Sequence, residues 1–404
     1  MNYRNSQLFI ENVSANKIIK KFGTPAYCYS FSQLKKNILS FKENFKNIKP
    51  LVCFAVKSNS NIRILKEISK FGLGADVVSK GELVAAIKSN INPKKIVFSG
   101  VGKTYNEIQY AIKKKILLIN TESISEIKTI IKIAKKQKQR IDIGLRVNPN
   151  VDAKTIKEIT TGKTINKFGL TEKEIIGLLN KYKTSKYINI KCLSVHIGSQ
   201  ITSHIPYLKM LNIIQKIIDK SKFYFEFIDL GGGMGINYWE NQKKLNYKKY
   251  SKQINKFVKK NNVKIIFEPG RSIVGDTGYL LCKVIYIKQT NKINFVIVDA
   301  GMNDLMRPAL YKAYHRIIPV IKNKKKVLKF HDFVGPICET TDKFLTLKSY
   351  QKLKENDGLV ICDVGAYGKV LSSNYNLRTS AKEILIKKSK SFLIKKKQSL
   401  LDII

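Results

Sequence analysis

The sequence predicts an α/β plus β architecture: a (β/α)8 barrel and a C-terminal mostly-β domain that also takes in an N-terminal strand. Three observations point there. Apolar, β-branched runs of strand length recur eight times before residue 270, with amphipathic stretches of helical length between most of them. Beyond about residue 275 short strand-like runs follow one another with Gly, Pro and Asn turns and little helix. The unusual residues of the first part fall mostly at the C-terminal ends of its runs, where barrel proteins place reactive groups.

In order, the runs are 50–57 (PLVCFAVK), 75–79 (ADVVS), 95–99 (KIVFS), 116–120 (ILLIN), 141–147 (IDIGLRV), 190–197 (IKCLSVHI), 225–230 (FEFIDL) and 263–268 (VKIIFE). Helices are predicted at 61–71, 104–114, 123–138, 171–183, 205–222 and 247–261. Val- and Ile-rich runs followed by helices argue for parallel strands buried on both faces. Eight such units in roughly 220 residues suit a closed barrel better than an open doubly wound sheet. The barrel is assigned to 30–275 and the β domain to 1–29 and 276–404. In the β domain, strands are expected at 279–288, 294–299, 327–333 and 358–363. The first 30 residues also look strand-like, with AYCYS after Gly23-Thr24-Pro25, and are expected to join them; the tail KKSKSFLIKKKQ reads as a strand with solvated lysines.

The 404 residues carry 75 Lys+Arg against 29 Asp+Glu, a formal charge of +46, and 44% apolar residues, which excludes wholesale disorder. Such a charge invites a nucleic-acid partner. Arg, however, occurs only at 4, 63, 140, 146, 271, 307, 316 and 378, leaving 67 lysines. Nucleic-acid readers depend on the bidentate guanidinium, so drift toward Lys, Ile and Asn explains the charge better, and no nucleic-acid partner is expected. Six cysteines without a C-x-x-C pair support neither a disulfide framework nor a zinc site, so no metal is expected. A reducing cytoplasm suits them. The N-terminus lacks the apolar core of a signal peptide, and no apolar stretch approaches the roughly 20 residues of a membrane helix.

Lys57 closes FAVK, where apolar neighbours would desolvate its ammonium and lower its pKa toward a usable nucleophile, although a solvated strand-end lysine is the plain alternative. Gly231, Gly232, Gly233 and Gly235 follow the seventh run and Gly270 the eighth. Their bare backbone suits a phosphate as well as a tight turn. Glu268 ends an apolar run and needs a cation, which Arg271 or a protonated pyridine nitrogen would supply. His196 is either a core histidine or a flat ring-stacking side chain. Together these residues describe a pyridoxal phosphate site, in which a lysine holds the cofactor and a partner group tunes its ring nitrogen.

Motifs along nearly the whole chain carry a resemblance: GTPAY at 23–27, FAVKSNSN at 54–61, GADVVSKGEL at 74–83, FSGVGKT at 98–104 and NKFGL at 166–170. HIGSQ at 196–200, DLGGGMGI at 229–236, EPGRSIV at 268–274, DAGMNDLMRPALY at 299–311, GPICETTD at 335–342, GAYG at 365–368 and SSNYN at 372–376 continue it. The sequence resembles the diaminopimelate decarboxylases, in the alanine-racemase-like (fold type III) group of pyridoxal phosphate enzymes. The resemblance implies decarboxylation of meso-2,6-diaminopimelate at its D-centre to L-lysine and CO2, the last step of lysine biosynthesis. It implies that Lys57 carries pyridoxal 5'-phosphate and His196 stacks on its ring. Ser199, Gly232, Gly233, Pro269, Gly270, Arg271 and Tyr367 would surround the cofactor and its phosphate, with Glu268 at the ring nitrogen. Arg271, Arg307, Tyr311, Glu339 and Tyr367 would hold the distal end of the substrate. Cys338 would be the proton donor, reaching the neighbouring subunit's site across a homodimer interface.

Two zwitterionic substrate ends call for cations and an anion, and Arg271, Arg307 and Glu339 provide them. Four of the eight arginines (146, 271, 307, 378) fall in or beside the motifs. A related decarboxylase acting on another basic amino acid is the near alternative; HIGSQ, MRPALY and CET favour diaminopimelate. A single-domain cofactor carrier would lack the β domain with Cys338 and Glu339.

Overall fold

The computed structural model describes residues 1–152, 161–162, 166–239 and 245–404. The chain divides into two compact units, one of Leu39–Ile236 and Lys243–Ser272, the other of Met1–Ile38, Asn237–Gln242 and Ile273–Ile404.

In the first unit eight strands close a parallel barrel: β1 (Leu51–Ala55), β2 (Gly74–Val77), β3 (Ile96–Phe98), β4 (Leu118–Thr121), β5 (Ile141–Val147), β6 (Ile188–Val195), β7 (Phe227–Asp229) and β8 (Lys264–Phe267). β8 returns to β1 with Ile266 opposite Leu51 and Phe267 opposite Val52. Each strand falls within or beside one of the predicted runs. Cys53, Val97, Leu118, Cys192, Phe227 and Ile266 form one buried apolar cluster of the barrel.

The helices start where the sequence offers a cap. Asn61, Ser79, Thr104, Ser123, Thr171 and Asn246 each accept a backbone N–H at a helix N-terminus. Thr104 with Glu107 and Thr171 with Glu174 form full capping boxes. Each such cap contributes on the order of 1 kcal/mol. The helices Phe31–Asn44 and Lys80–Lys88 add to those predicted. In KGELVAAIK the apolar residues are contiguous rather than spaced at three and four, so helical periodicity is faint there.

The second unit is mostly β. The long strand β9 (Gly278–Gln289) pairs antiparallel with β10 (Ile293–Val298), and β10 pairs with β11 (Phe330–Val334), which pairs with β12 (Lys343–Leu347). β9 also pairs with β13 (Gly358–Ile361). The predicted N-terminal strand, Ala26–Ser30, lies between β9 and β14 (Lys382–Lys387), and β15 (Lys390–Lys395) forms the lysine-rich edge. One stretch read as strand-like is helical: in Ala15–Phe22 the buried Ala15, Ile18 and Ile19 share one face and Lys17, Lys20 and Lys21 stay outside it.

Glu82 ties the helix Lys80–Lys88 back to β2 by accepting the Val78 N–H at 2.8 Å. Burial pushes its carboxyl up to about 7, with the nearby Asp76 adding to the rise. A raised acid favours folding below its unfolded pKa and loses that contribution as pH climbs through the folded value. In the ligand-free protein, Glu82→Gln keeps the acceptor and removes the charge. Its stability relative to wild type should therefore rise between pH 5 and pH 8, by on the order of 1–2 kcal/mol. Denaturant titrations at the two pH values test this; a constant difference overturns the assignment.

Candidate active site

Four consecutive strands around the barrel wall, β7, β8, β1 and β2, carry Asp229, Glu268, Lys57 and Asp76 within two residues of their C-terminal ends. Lys57 sits in the single helical turn Val56–Ser58 that follows β1. Its Nζ lies 2.7 Å from Asp76 Oδ2, and the Asp76 side chain is fully buried. This differs from the desolvated ammonium expected from FAVK: an ion pair, rather than apolar side chains alone, receives the charge. The preceding turn is fixed by Ser58, whose hydroxyl donates to Ala55 O at 2.7 Å, and by Ala55 N–H donating to Pro269 O at 3.1 Å.

Glu268 is buried at the end of β8. Burial raises its carboxyl well above the ordinary range, and the Asp229 and Asp76 carboxylates raise it further, against the opposing pull of Lys57. Asp229 is itself pushed up to about 6, chiefly by burial. A neutral relay connects the two. Asn120 Nδ2 donates to Asp229 Oδ2 at 2.9 Å and to Ser99 Oγ at 3.2 Å, and Ser99 Oγ donates to Glu268 Oε1 at 3.3 Å. Gly144 on β5 leaves room for this amide, because a Cβ there would lie 2.2 Å from Asn120 Oδ1.

The glycine loop after β7 is built for close backbone approach. Gly231 and Gly233 have φ of 61° and 86°, where other residues are strained. A Cβ on Gly232 would fall 2.1 Å from Glu268 O. Asp229 Oδ1 accepts the Gly231 N–H, and Tyr207 Oη donates to Gly232 O at 3.0 Å. The Gly232 N–H donates to His196 Nδ1 at 3.2 Å, so that nitrogen carries a lone pair. Burial, then Lys57 and Arg146, holds the His196 pKa well below its usual value, leaving a flat neutral ring. Beside the loop, Arg271 Nη2 donates to Ser199 Oγ at 3.0 Å; Gly270 lies so close to Ser58 that a Cβ would meet its hydroxyl at 2.8 Å.

Lys57, His196 and Glu268 thus line one cavity of about 590 Å3, together with Ser99, Asn120 and Asp229. The buried Asp76 Oδ1 and Asn120 Oδ1 have no hydrogen-bond partner among the described residues. Such a set fits a flat, positively charged heterocycle with an anionic arm: carboxylates for the ring cation, a lysine for a carbonyl, and a glycine loop with Arg271 for the arm. Ser99 and Asn120 were not singled out from the sequence, and Arg146, noted among the arginines beside the motifs, was given no role there. Arg146 lines the same cavity, paired with Glu122 at 2.6 Å and stacked 4.7 Å from the Phe168 ring centroid. The signal available for Asn120 and Ser99 was their place at the ends of ILLIN and KIVFS.

The remaining candidates belong to the second unit. Arg307 is buried at the start of the short helix Arg307–Tyr311, and Tyr311, half-buried, ends that helix. Cys338 is the one exposed cysteine of the six, and none is disulfide-bonded. Its loop closes around Asp342, whose carboxylate accepts the Met302 N–H at 2.6 Å and the Ile337 N–H at 2.7 Å. Glu339 is exposed and accepts hydroxyl donations from Tyr375 and Thr341, which lower its pKa in that order. Tyr367 adopts a left-handed φ of 57°.

Residues 31–275 match the family profile "Pyridoxal-dependent decarboxylase, pyridoxal binding domain". The chain is 39% identical to the diaminopimelate decarboxylase of Aquifex aeolicus, over 99% of this chain and 95% of that one. Among solved structures, diaminopimelate decarboxylase from Helicobacter pylori complexed with L-lysine has a TM-score of 0.91 at 40% identity, covering 96% of this chain and 98% of its own. The M. jannaschii enzyme in co-complex with L-lysine has a TM-score of 0.94 at 36% identity, covering 100% and 96%. The barrel, the mostly-β unit and these matches along the full length agree: the chain belongs to the diaminopimelate decarboxylase family of pyridoxal-dependent decarboxylases.

Proposed function

We propose that this protein decarboxylates meso-2,6-diaminopimelate at its D-centre, giving L-lysine and CO2, with pyridoxal 5'-phosphate bound in the barrel. One observation carries the reading: Lys57 and the buried Glu268 converge on a single cavity at the strand ends, in a chain matched end to end by diaminopimelate decarboxylases. When bound, pyridoxal phosphate supplies an electron sink for the pair left as CO2 departs.

The chain's own groups would share the remaining work. Lys57 would hold the cofactor covalently through its Nζ. Glu268 keeps the ring nitrogen protonated; its burial, which makes a lone carboxylate costly, makes a paired one strong. His196 offers a flat neutral face to the ring. Ser199, Gly232, Gly233, Gly270 and Arg271 hold the phosphate, with Pro269 shaping their loop and Tyr367 alongside. Arg271, Arg307 and Tyr311 receive the distal carboxylate, and Glu339 the distal ammonium, with Tyr367 beside them. The C–CO2 bond breaks, CO2 leaves, and the Cys338 thiol delivers a proton to the carbon. Asp342 fixes the backbone on either side of that cysteine. We further propose a cytoplasmic homodimer in which Cys338 and Glu339 serve the partner's barrel, because an exposed thiol is poorly protected unless a second surface covers it.

Side-by-side measurement of CO2 release from meso-diaminopimelate, ornithine and arginine tests the substrate. Turnover of the first alone is expected; none with it sinks the assignment. Borohydride reduction followed by peptide mapping should find a pyridoxyl group on Lys57, and a modified lysine elsewhere would overturn the site. Glu268→Gln should lower kcat on the order of a hundredfold, the equivalent of losing about 3 kcal/mol of charge stabilisation, while the Lys57 adduct still forms. Mixing the inactive Lys57→Ala and Cys338→Ala proteins should restore about a quarter of wild-type activity if sites are shared in a two-fold dimer. No recovery would exclude sharing.

A further inference from the structure

Of the two buried histidines in the second unit, His331 and His315, neither of which the reaction above uses, His315 stands against a candidate site residue. His315 is wholly inaccessible, four residues beyond the helix Arg307–Tyr311. Its Nε2 lies 2.8 Å from Arg307 Nη1 and its Nδ1 lies 2.8 Å from Cys362 O. Neither partner leaves the tautomer open. A guanidinium can only donate, so Nε2 carries the lone pair; a carbonyl can only accept, so Nδ1 carries the hydrogen. Both contacts therefore select the same neutral imidazole. A protonated ring would turn an N–H against the guanidinium.

Tyr238 completes the support. Its ring stands edge-on to His315 at 5.3 Å and 80°, and the Arg307 guanidinium lies 4.8 Å from its centroid. The imidazole fixes one N–H in the guanidinium plane and the phenol face fixes the tilt of that plane. Because the five N–H bonds form a rigid planar fork, fixing these two sets the direction of the rest. The choice of acceptor matters chemically. A carboxylate at the His315 position would orient Arg307 but cancel its charge and compete with an incoming carboxylate. A neutral imidazole orients the fork and leaves the charge intact.

We propose that His315 is a positioning residue for substrate selection: as the Nδ1-protonated neutral tautomer, it aims the Arg307 fork at the distal carboxylate that diaminopimelate and L-lysine share. This rests on the assignment of Arg307 to that carboxylate made above. Two isosteric variants separate the contacts. His315→Asn keeps a donor for Cys362 O and loses the acceptor for Arg307. His315→Gln places an amide oxygen near the Nε2 position and loses the donor.

With cofactor-loaded enzyme, His315→Asn should raise KM for diaminopimelate and the Kd for L-lysine about tenfold to a hundredfold, while kcat stays within about threefold. His315→Gln should restore KM and Kd toward wild type while lowering Tm more than His315→Asn does. If both variants shift Tm alike and leave KM and Kd unchanged, His315 is structural only and the proposal fails. Arg307→Lys distinguishes the underlying reading: unchanged lysine affinity there removes Arg307 from the carboxylate, and the proposal with it. Should the histidine variants not fold, imidazole 15N shifts of the wild-type enzyme, which has four histidines, decide the matter. A protonated Nδ1 with a bare Nε2 on His315 supports the proposal, and the opposite tautomer or a cation overturns it.

Discussion

Burial of carboxylates at one end of the barrel is the constraint on which the site depends. Asp229, Glu268 and Asp76 lie at or beside the C-terminal ends of three of four neighbouring strands, and Lys57 follows the fourth. Barrel closure places them together whatever their chemistry, and desolvation then raises Glu268 and Asp229. Three negative charges against one ammonium would leave the site strongly anionic. Part of the imbalance is relieved by protonation and part by the Asn120–Ser99 relay. What remains is a demand for a cation of fixed position, and a ring nitrogen meets it better than a mobile ion because its other end is anchored elsewhere. The glycine loop belongs to the same constraint. Gly232 packs against the Glu268 carbonyl so tightly that no side chain fits, which ties the glycine loop to the strand that presents the carboxylate.

The second unit meets a different constraint, that of holding an exposed loop in one shape outside a barrel. Cys338 and Glu339 are exposed, and exposed loops are seldom rigid. Here Asp342 takes the role a cap plays in a helix. Its two oxygens accept the Met302 and Ile337 N–H groups, its own carbonyl accepts from Gly335, and its N–H donates to Glu339 O. The loop is therefore closed on both sides of the cysteine by bonds to one buried residue, through its side chain at Ile337 and through its backbone at Glu339. Arg307 receives comparable treatment from His315 and Tyr238.

Much of this was legible in the amino-acid order, and the rest was hidden for identifiable reasons. The barrel was legible because a strand buried on both faces leaves a continuous apolar run, and eight such runs survive the drift in composition. Lys57, His196 and Glu268 were legible as polar residues that stop those runs. The helix Ala15–Phe22 was missed because two turns of KIIKKF resemble an edge strand as much as a helix until the face that buries Ile18 and Ile19 is known. Asn120 and Ser99 were invisible as partners because their bonds run across the barrel interior to residues over a hundred positions away. Nor could Asp76 be matched to Lys57 from order alone, since that pair exists only through the register of β1 against β2.

The charge distribution follows from the same division between inside and outside. Sixty-seven lysines lend the chain its formal +46, yet among the described residues none is buried as a whole residue, although the Lys103 side chain is inaccessible, whereas three of the eight arginines are buried: Arg146, Arg271 and Arg307. Lysine is tolerable on a surface because a compact ammonium keeps its hydration there, and surface pairs contribute little either way. In the interior the two cations are not equivalent. Arg146 spans the Glu122 carboxylate and the Phe168 ring at once, and Arg307 spans an imidazole and a phenol. An ammonium can reach a carboxylate and a ring, but it has no plane to lay on the aromatic face and so does not fix the direction of its remaining N–H groups. The buried Lys103 side chain marks the limit of substitution: its ammonium meets the Gly100 and Asn120 carbonyls and the Glu126 carboxylate, with the Phe98 ring centroid 5.7 Å away, contacts a point charge can make without a plane to orient. Compositional drift therefore stops where geometry requires a fork, and these surviving arginines mark the places in the molecule where orientation, rather than charge, is being selected.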